Sequence, residues 1–180
     1  MSSLLYLTDE DFNVIRGEKG NLLCHSIPGM ALILFYHKNC PNCVHLFPIF
    51  KTLPNVLSGC QFGIVNIGVQ RKVIDMSKQT VMPLQHVPLV LLYINGKPYF
   101  KYTGDYDLEK IKGFIFEVQH KLQSKQQFYK KNNNQQPQQQ DLHFKENAKT
   151  GIPEYSLGSP LYGECDVSYL MDKDAYGKVN

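Results

Sequence analysis

Apolar runs alternate with amphipathic stretches along the first 122 residues. The run ALILFY at residues 31–36 has no charged residue, which favours a strand buried on both faces. Similar runs predict further strands at residues 4–7, 61–67, 88–94 and 98–102. The last two flank Asn95 and Gly96, a dipeptide typical of a tight β-hairpin turn.

Helical spacing of apolar and capping residues predicts four helices, at residues 8–16, 41–57, 69–80 and 107–122. The first depends on Thr8 and Asp11, which are spaced like a capping box. In the second, Pro41 suits the first turn and Pro48 should kink the helix. Its buried stripe is expected to comprise Val44, Phe47, Phe50 and Leu57. The predicted order is βαβαβαββα, an α/β fold with a mixed central sheet and helices on both faces.

Composition changes sharply near residue 123, where Gln and Asn become dominant. Such a segment has too few apolar groups to offset its ordering entropy, so residues 123–150 are predicted to be a flexible Gln/Asn-rich linker. Residues 151–180 are Tyr-rich and acidic, too short to fold alone but apolar enough to dock. We therefore divide the chain into a domain (1–122), a linker (123–150) and a C-terminal tail (151–180).

The overall composition excludes several classes of protein. Apolar residues make up 43% of the chain and aromatic residues 12%, as in a globular protein. No apolar run approaches the roughly 20 residues of a membrane span, and the N-terminus lacks the features of a secretory signal. A net charge of +3 is too small to indicate nucleic-acid binding. We expect a cytoplasmic monomer with no membrane or nucleic-acid partner.

The pair Cys40 and Cys43, in the segment NCPNC, admits three interpretations. A structural zinc site usually needs a second such pair. No metal is expected here, because the other thiols and the nearest histidines are isolated in the sequence: Cys24, Cys60, Cys165, His25, His37 and His45. A structural disulfide across so short a loop would constrain the unfolded chain little, and a reducing compartment opposes it. Redox chemistry is the interpretation favoured beside a βαβ pattern.

A dithiol mechanism follows from the predicted elements. Cys40 would stand at the N-terminus of a helix, where unpaired N–H groups and the helix dipole stabilise a thiolate, the attacking species. Cys43, one turn later and more sheltered, would resolve the resulting mixed disulfide. Pro41 would pre-set the turn geometry, and Asn42 could donate a hydrogen bond to the Cys40 sulfur.

Several features in this order and spacing resemble the thioredoxin superfamily over about residues 3–122. They are LILFY before CPNC, Pro48 five residues after Cys43, VPLVLLYINGK with Pro88, and Gly104 after the hairpin. The resemblance implies a thioredoxin-like fold and a protein dithiol–disulfide oxidoreductase. Its redox-active centre would be a Cys40–Cys43 disulfide, with no other cofactor.

The resemblance also implies a substrate site. Pro88 would be the cis-proline that faces the active-site disulfide, although a trans proline opening an edge strand is the plainer alternative. Val87 would offer its backbone N–H and C=O to an extended substrate peptide, with Pro41 and Asn42 nearby. The implied partners are protein disulfides or dithiols and a recycling reductase or oxidant, with roles in electron transport and cell redox homeostasis.

The sequence also departs from thioredoxin. Asn39 replaces the tryptophan of the usual W-C-G-P-C-K, and the proline takes the first inner position, as in glutaredoxins. The family's buried aspartate and its lysine partner fall on Leu34 and Ile64, so the usual proton acceptor for the second cysteine is missing. The rate or direction of the reaction could therefore differ.

Other candidate residues have plain and functional interpretations. His37 and His45 could favour the thiolate or accept a proton, but the plain interpretation is a strand end and a solvent-facing helix position. Cys24 and Cys60 are expected to be small buried residues. Cys165 is interpreted as an unreactive tail thiol, with a disulfide to Cys40 or auto-regulation as the alternative.

Two other functions compete with the dithiol enzyme. A glutaredoxin-like, glutathione-dependent reductase is indicated by CPNC and by GDYDLEKI at residues 104–111, which resembles a glutaredoxin G-x-x-D-L. A non-enzymatic interaction module that recruits a partner through its tail is the second. The Asn/Gln-rich linker and Tyr-rich end are similar to thioredoxin-domain proteins of giant nucleocytoplasmic DNA viruses, which would imply the host cytoplasm and the virion.

Overall fold

The computed structural model describes residues 3–131, 144–145, 149–155 and 165–166. The described residues form three helices, α1 (Pro41–Val56), α2 (Arg71–Lys78) and α3 (Leu108–Lys131), together with short strands and one 3-10 turn, Asp9–Asp11. The strands are β1 (Leu4–Tyr6), β2 (Phe12–Arg16), β3 (Asn21–His25), β4 (Met30–Tyr36), β5 (Gln61–Asn66), β6 (His86–Val87), β7 (Leu89–Ile94), β8 (Lys97–Tyr102), β9 (Phe144–Lys145), β10 (Glu154–Tyr155) and β11 (Cys165–Asp166).

The main sheet of the described residues has the order β1-β5-β4-β7-β8-β10-β9. Strands β1, β5 and β4 run parallel, whereas β7 is antiparallel to both β4 and β8. β2 pairs with β3, and β11 with β6, in two small additional sheets. This arrangement confirms the predicted α/β class with a mixed central sheet.

Strand β4 separates two apolar cores. Its residues from Ala31 to Phe35 are all fully buried, as the unbroken apolar run predicts. Ile33 and its β4 neighbours on one face pack with α2 and β3. Leu32 and Leu34 face the other way, toward α1 and α3. Helices therefore cover both faces of the sheet, as predicted.

The predicted helix over residues 8–16 is wrong. Thr8 and Asp11 do interact, since the Thr8 N–H donates to the Asp11 carboxylate at 2.7 Å, but they close a single 3-10 turn. The chain then forms the antiparallel hairpin β2–β3, which the sequence analysis missed. Its β-branched residues and the glycines of the segment GEKG between the two strands favour a hairpin over a helix.

The Asn95-Gly96 turn between β7 and β8 is confirmed. Both residues have positive φ, 49° and 78°, as a tight primed turn requires. The Asn95 side chain also accepts a hydrogen bond from the Gly29 N–H at 2.9 Å. The hairpin is thereby tied to the start of β4.

The folded body extends past the predicted boundary at residue 122. Helix α3 continues to Lys131, because Gln, Lys and Ser permit a helix once its first half is packed on the sheet. Within the predicted tail, β10 adds to β8 in parallel. The rest of the predicted linker (132–143 and 146–148) and tail (156–164 and 167–180) lies outside the described residues.

Candidate functional site

Cys40 occupies the N-cap of α1, directly after the loop that follows β4. Pro41 is the first residue of the helix, where its missing N–H costs nothing and its fixed φ suits the turn. The Cys40 carbonyl accepts from the Val44 N–H at 3.0 Å, the first hydrogen bond of the helix. A sulfur at this position lies at the positive end of the helix dipole, which favours a thiolate when the thiol is free.

A short turn built around His37 holds Cys40 in place. The Cys40 N–H donates to the His37 carbonyl at 3.1 Å, and the Asn39 N–H donates to His37 Nδ1 at 3.2 Å. Burial, together with the positive charges of Lys38 and Arg71, lowers the pKa of His37. His37 therefore acts here as a neutral hydrogen-bond acceptor that orders the loop.

The Val87–Pro88 peptide bond is cis. It places the Val87 carbonyl oxygen 3.5 Å from the Cys40 Sγ, and Val87 itself is fully buried. Tyr106 donates its hydroxyl to the Pro88 carbonyl at 3.4 Å. The structure thus brings Val87, the residue before the cis-proline, next to Cys40, although the two are more than 40 residues apart in the chain.

Cys43 lies one helical turn below Cys40 and is 1% exposed. Burial raises the pKa of its thiol to about 11, partly offset by a hydrogen bond from the His37 backbone. The pKa of Tyr36 is also raised, mainly by burial and further by Tyr6 and Cys43, since neighbouring anions disfavour one another. Tyr36 is a neighbour of the site that the sequence analysis missed; its position at the end of β4 was the available signal.

The state of the two cysteines differs from the expected one. Cys40 is disulfide-bonded, whereas Cys43 is a free thiol. The Cys40–Cys43 disulfide that the resemblance implied is therefore not the one present in this structure. Cys43 packs instead into the apolar core between the sheet and α2, where burial shelters the thiol.

The two positions to which the resemblance assigns the family's buried aspartate and its lysine partner are apolar core residues. Leu34 and Ile64 face each other across β4 and β5, and both are almost fully buried. They belong to the core shared with α1 and α3 and carry no titratable group. Neither side chain can therefore accept a proton from Cys43.

The remaining candidate residues are spread around the domain. Pro41 and His45 are exposed on α1, and Asn42 is half-buried near Cys40. Cys24, in β3, and Cys60, directly before β5, are buried free thiols. In the glutaredoxin-like segment, the Asp107 carboxylate accepts from the Glu109 and Lys110 N–H groups, at 2.9 and 3.2 Å, and so caps α3.

Neither a metal cluster nor a membrane helix occurs in the part of the chain that the structure describes. No three His, Cys, Asp or Glu side chains there converge as a metal ion would require. None of the described helices is long and apolar enough to cross a bilayer.

An α/β fold with a mixed sheet, a C-x-x-C segment at a helix start and a facing cis-proline defines a thioredoxin-like domain. The Thioredoxin family model matches residues 22–117, which is more than half of the chain. The chain therefore belongs to the thioredoxin family.

Its similar proteins include two viral relatives. Uncharacterized protein 196R of Invertebrate iridescent virus 6 is 38% identical over 125 residues, covering 66% of this chain and 72% of the relative. Uncharacterized protein 020R of Invertebrate iridescent virus 3 is 30% identical over 177 residues, covering 96% of each.

Solved structures with a similar fold are more distant. Human ERp44 form I has 18% identity and a TM-score of 0.49, over 65% of this chain and 29% of that chain. ERdj5 form II has 15% identity and a TM-score of 0.47, over 66% of this chain and 14% of that chain. This chain thus spans less than a third of either structure.

Proposed function

We propose that this protein is a thiol–disulfide oxidoreductase that exchanges disulfides with protein substrates. Cys40 is the nucleophile and Cys43 the resolving thiol, while Val87 and Pro88 bind the backbone of an extended substrate peptide. Pro41 and Asn42 form the rim of the same site. The observation that carries this proposal is the position of Cys40, at a helix N-cap and 3.5 Å from the Val87 carbonyl oxygen.

The proposed reaction proceeds by two thiol exchanges. The Cys40 thiolate attacks a substrate disulfide, forming a mixed disulfide and releasing one substrate thiol. Cys43 then attacks Cys40, releasing the second substrate thiol and leaving a Cys40–Cys43 disulfide. A reductant of the thiol class must regenerate the enzyme, and an oxidant would drive the reverse direction.

Insulin reduction with dithiothreitol as electron donor tests the proposal. The wild-type protein should accelerate the reaction, and Cys40→Ser should reduce the rate to that of dithiothreitol alone, because the attacking sulfur is lost. Cys60→Ala is the matched control, since it also removes a buried cysteine, but one that is a free thiol outside the C-x-x-C segment. A wild-type rate equal to the dithiothreitol background would contradict the proposal and favour a non-enzymatic module.

The glutathione-dependent alternative makes a different prediction for Cys43. A monothiol route through a glutathione adduct on Cys40 can survive Cys43→Ser, whereas the dithiol route cannot. We expect Cys43→Ser to lose insulin reduction and to gain no activity on a glutathionylated peptide. The use of Asp107 as a helix cap accounts for the glutaredoxin-like segment without a glutathione site.

A further inference from the structure

A strand of the tail lies against the strand that leads into the cis-proline. β11 pairs antiparallel with β6, and Cys165 stands opposite Val87. Opposite residues of an antiparallel pair have Cα atoms about 4.5–5.5 Å apart. Because the Val87 carbonyl oxygen is 3.5 Å from the Cys40 Sγ, the backbone of Cys165 runs beside the candidate active site.

The pairing state of the cysteines points to the same segment. Cys40 is disulfide-bonded, and Cys24, Cys43 and Cys60 are free thiols. The sequence has five cysteines, so Cys165 is the one that remains as an intramolecular partner.

We propose that Cys165 forms a disulfide with Cys40 and that the tail strand occupies the place of an extended substrate peptide. This inference rests on the proposed function in one respect, that Cys40 is the reactive thiol. The tail is then a built-in competitor that closes the site until an exchange reaction releases it. It would bind by the strand pairing expected of a substrate.

The closing step needs no external oxidant. The Cys165 thiolate attacks the Cys40 sulfur of a Cys40–Cys43 disulfide; the new Cys40–Cys165 bond forms as the old bond breaks. Cys43 leaves with the electron pair and takes up a proton. Opening is the reverse attack by Cys43, which is slow at neutral pH because the buried thiol stays protonated. The closed form should therefore persist.

The tail is anchored close enough for this reaction. The carbonyl of Tyr155, in β10, accepts hydrogen bonds from the N–H and hydroxyl of Thr103, both at 2.8 Å. Nine residues separate Tyr155 from Cys165, and a chain of that length can span up to about 35 Å. A tether this short gives Cys165 an effective concentration at Cys40 on the order of millimolar.

Peptide mapping of the full-length Cys43→Ser variant tests the inference directly. The variant is oxidised with glutathione disulfide, its remaining thiols are alkylated, and it is digested with trypsin without reduction. Cleavage after Lys38 and Lys51, and after Lys149 and Lys173, separates the two candidate cysteines into different peptides. We expect peptide 39–51 linked to peptide 150–173, and loss of that species when Cys165→Ser is added.

A glutathione adduct on Cys40 with an alkylated Cys165 would overturn the inference. If Cys43→Ser does not fold, the same peptide mapping is done on the oxidised wild-type protein. Peptide 39–51 linked to peptide 150–173 supports the inference, and a Cys40–Cys43 disulfide within peptide 39–51, without the linked pair, overturns it. In the insulin assay, oxidised wild type should show a lag that Cys165→Ser loses. If the protein reduces insulin but the linked peptides are absent, this inference is wrong and the proposed function stands. If the linked peptides are present but the protein does not reduce insulin, the proposed function is wrong and the disulfide stands.

Discussion

Two buried side chains, Cys43 in α1 and His25 in β3, illustrate how strongly the pKa of a single residue depends on its surroundings. Cys43 and His25 are 1% and 6% exposed, and each is held in its neutral form by burial. A neutral thiol is a poor nucleophile. A buried neutral imidazole lowers the free energy of unfolding in acid, because the unfolded state then binds a proton that the folded state does not. The pH dependence of both groups can be predicted with its sign.

Resolution of a mixed disulfide on Cys40 should accelerate steeply with pH. Since burial raises the pKa of Cys43 to about 11, its thiolate fraction is about one in ten thousand at pH 7 and rises roughly tenfold per pH unit. We expect a chromogenic thiol attached to Cys40 in the Cys165→Ser background to be released about 100-fold faster at pH 9 than at pH 7. A rate that levels off below pH 8 would contradict the raised pKa, and Cys43→Ser should show no release.

Stability should fall on acidification because of His25. Burial lowers the pKa of His25 to about 4, against an ordinary 6.5, and its Nε2 has no hydrogen-bond partner. The unfolded state therefore binds more protons between these values, so this stabilisation is full above pH 6.5 and is lost as the pH falls through 4. The free energy of unfolding should drop by about 2 kcal/mol between pH 7 and pH 5.

Urea unfolding at the two pH values measures this drop, and His25→Asn provides the comparison. Asn does not titrate in this range and can still accept from the Ile27 N–H, as His25 Nδ1 does at 3.1 Å. The variant should lose most of the pH dependence. An equal drop in the variant would assign the effect to other groups.

Among the secondary-structure elements, helix α1 contains a residue that belongs both to the C-x-x-C motif and to the apolar core, Cys43. Its buried stripe is Cys43, Leu46, Phe50 and Leu53, whereas Val44, predicted to be buried, is 60% exposed. Of the other predicted positions, Phe50 and Leu57 are buried and Phe47 is half-buried, so the error is confined to the first turn, where Cys43 and not Val44 faces the core. The Cys43 thiol thus belongs to the apolar face of the helix, which explains its burial.

The β7–β8 turn should tolerate no side chain at Gly96. Gly96 has φ +78°, and an added Cβ would overlap the backbone carbonyl oxygen of His25 in β3. We expect Gly96→Ala to lower the free energy of unfolding by at least about 2 kcal/mol, from the positive φ and the overlap together.

Gly29→Ala is a matched control for the conformational part of that cost. Gly29 has φ +74°, but an added Cβ would meet no atom within 4 Å. Its loss should be about 1 kcal/mol. Equal losses in chemical denaturation would show that the contact with β3 contributes nothing.

For the whole molecule, the chain after the predicted domain boundary supplies part of the core. Tyr155 is fully buried, with ring centroids 4.6 Å from Phe114 and 5.8 Å from Tyr102. We expect Tyr155→Ala to destabilise the protein by about 3 kcal/mol, since it leaves a cavity between α3 and β8. Thermal and denaturant unfolding both measure this change.

Tyr155→Phe separates packing from hydrogen bonding. It retains the ring but loses the hydroxyl that donates to the Glu117 carboxylate at 3.3 Å. Its cost should be within about 1 kcal/mol. A loss as large as that of Tyr155→Ala would mean that the hydroxyl, not the packed ring, stabilises this junction.

Sequence patterns predicted the elements whose signals are local. The unbroken apolar run of β4, the Asn95-Gly96 turn and the helix beginning after Cys40 were all identified from neighbouring residues. The β2–β3 hairpin was missed because the capping-box spacing of Thr8 and Asp11 was given more weight than the alternating pattern that follows it. The capping-box spacing, which favours a helix, and the alternating pattern, which favours a strand, lie next to each other in this segment. Packing against β4 and α2 favoured the hairpin.

The amino-acid sequence alone predicted the fold class and the proposed reactive cysteine pair. Apolar strand runs, helix starts and the C-x-x-C spacing all involve residues that are close together in sequence. The cis bond at Pro88, the high pKa of Cys43 and the pairing of Cys165 with Val87 were decided by tertiary structure. Each depends on burial or on contact between segments far apart in the chain. Such contacts exist only after the sheet has brought those segments together.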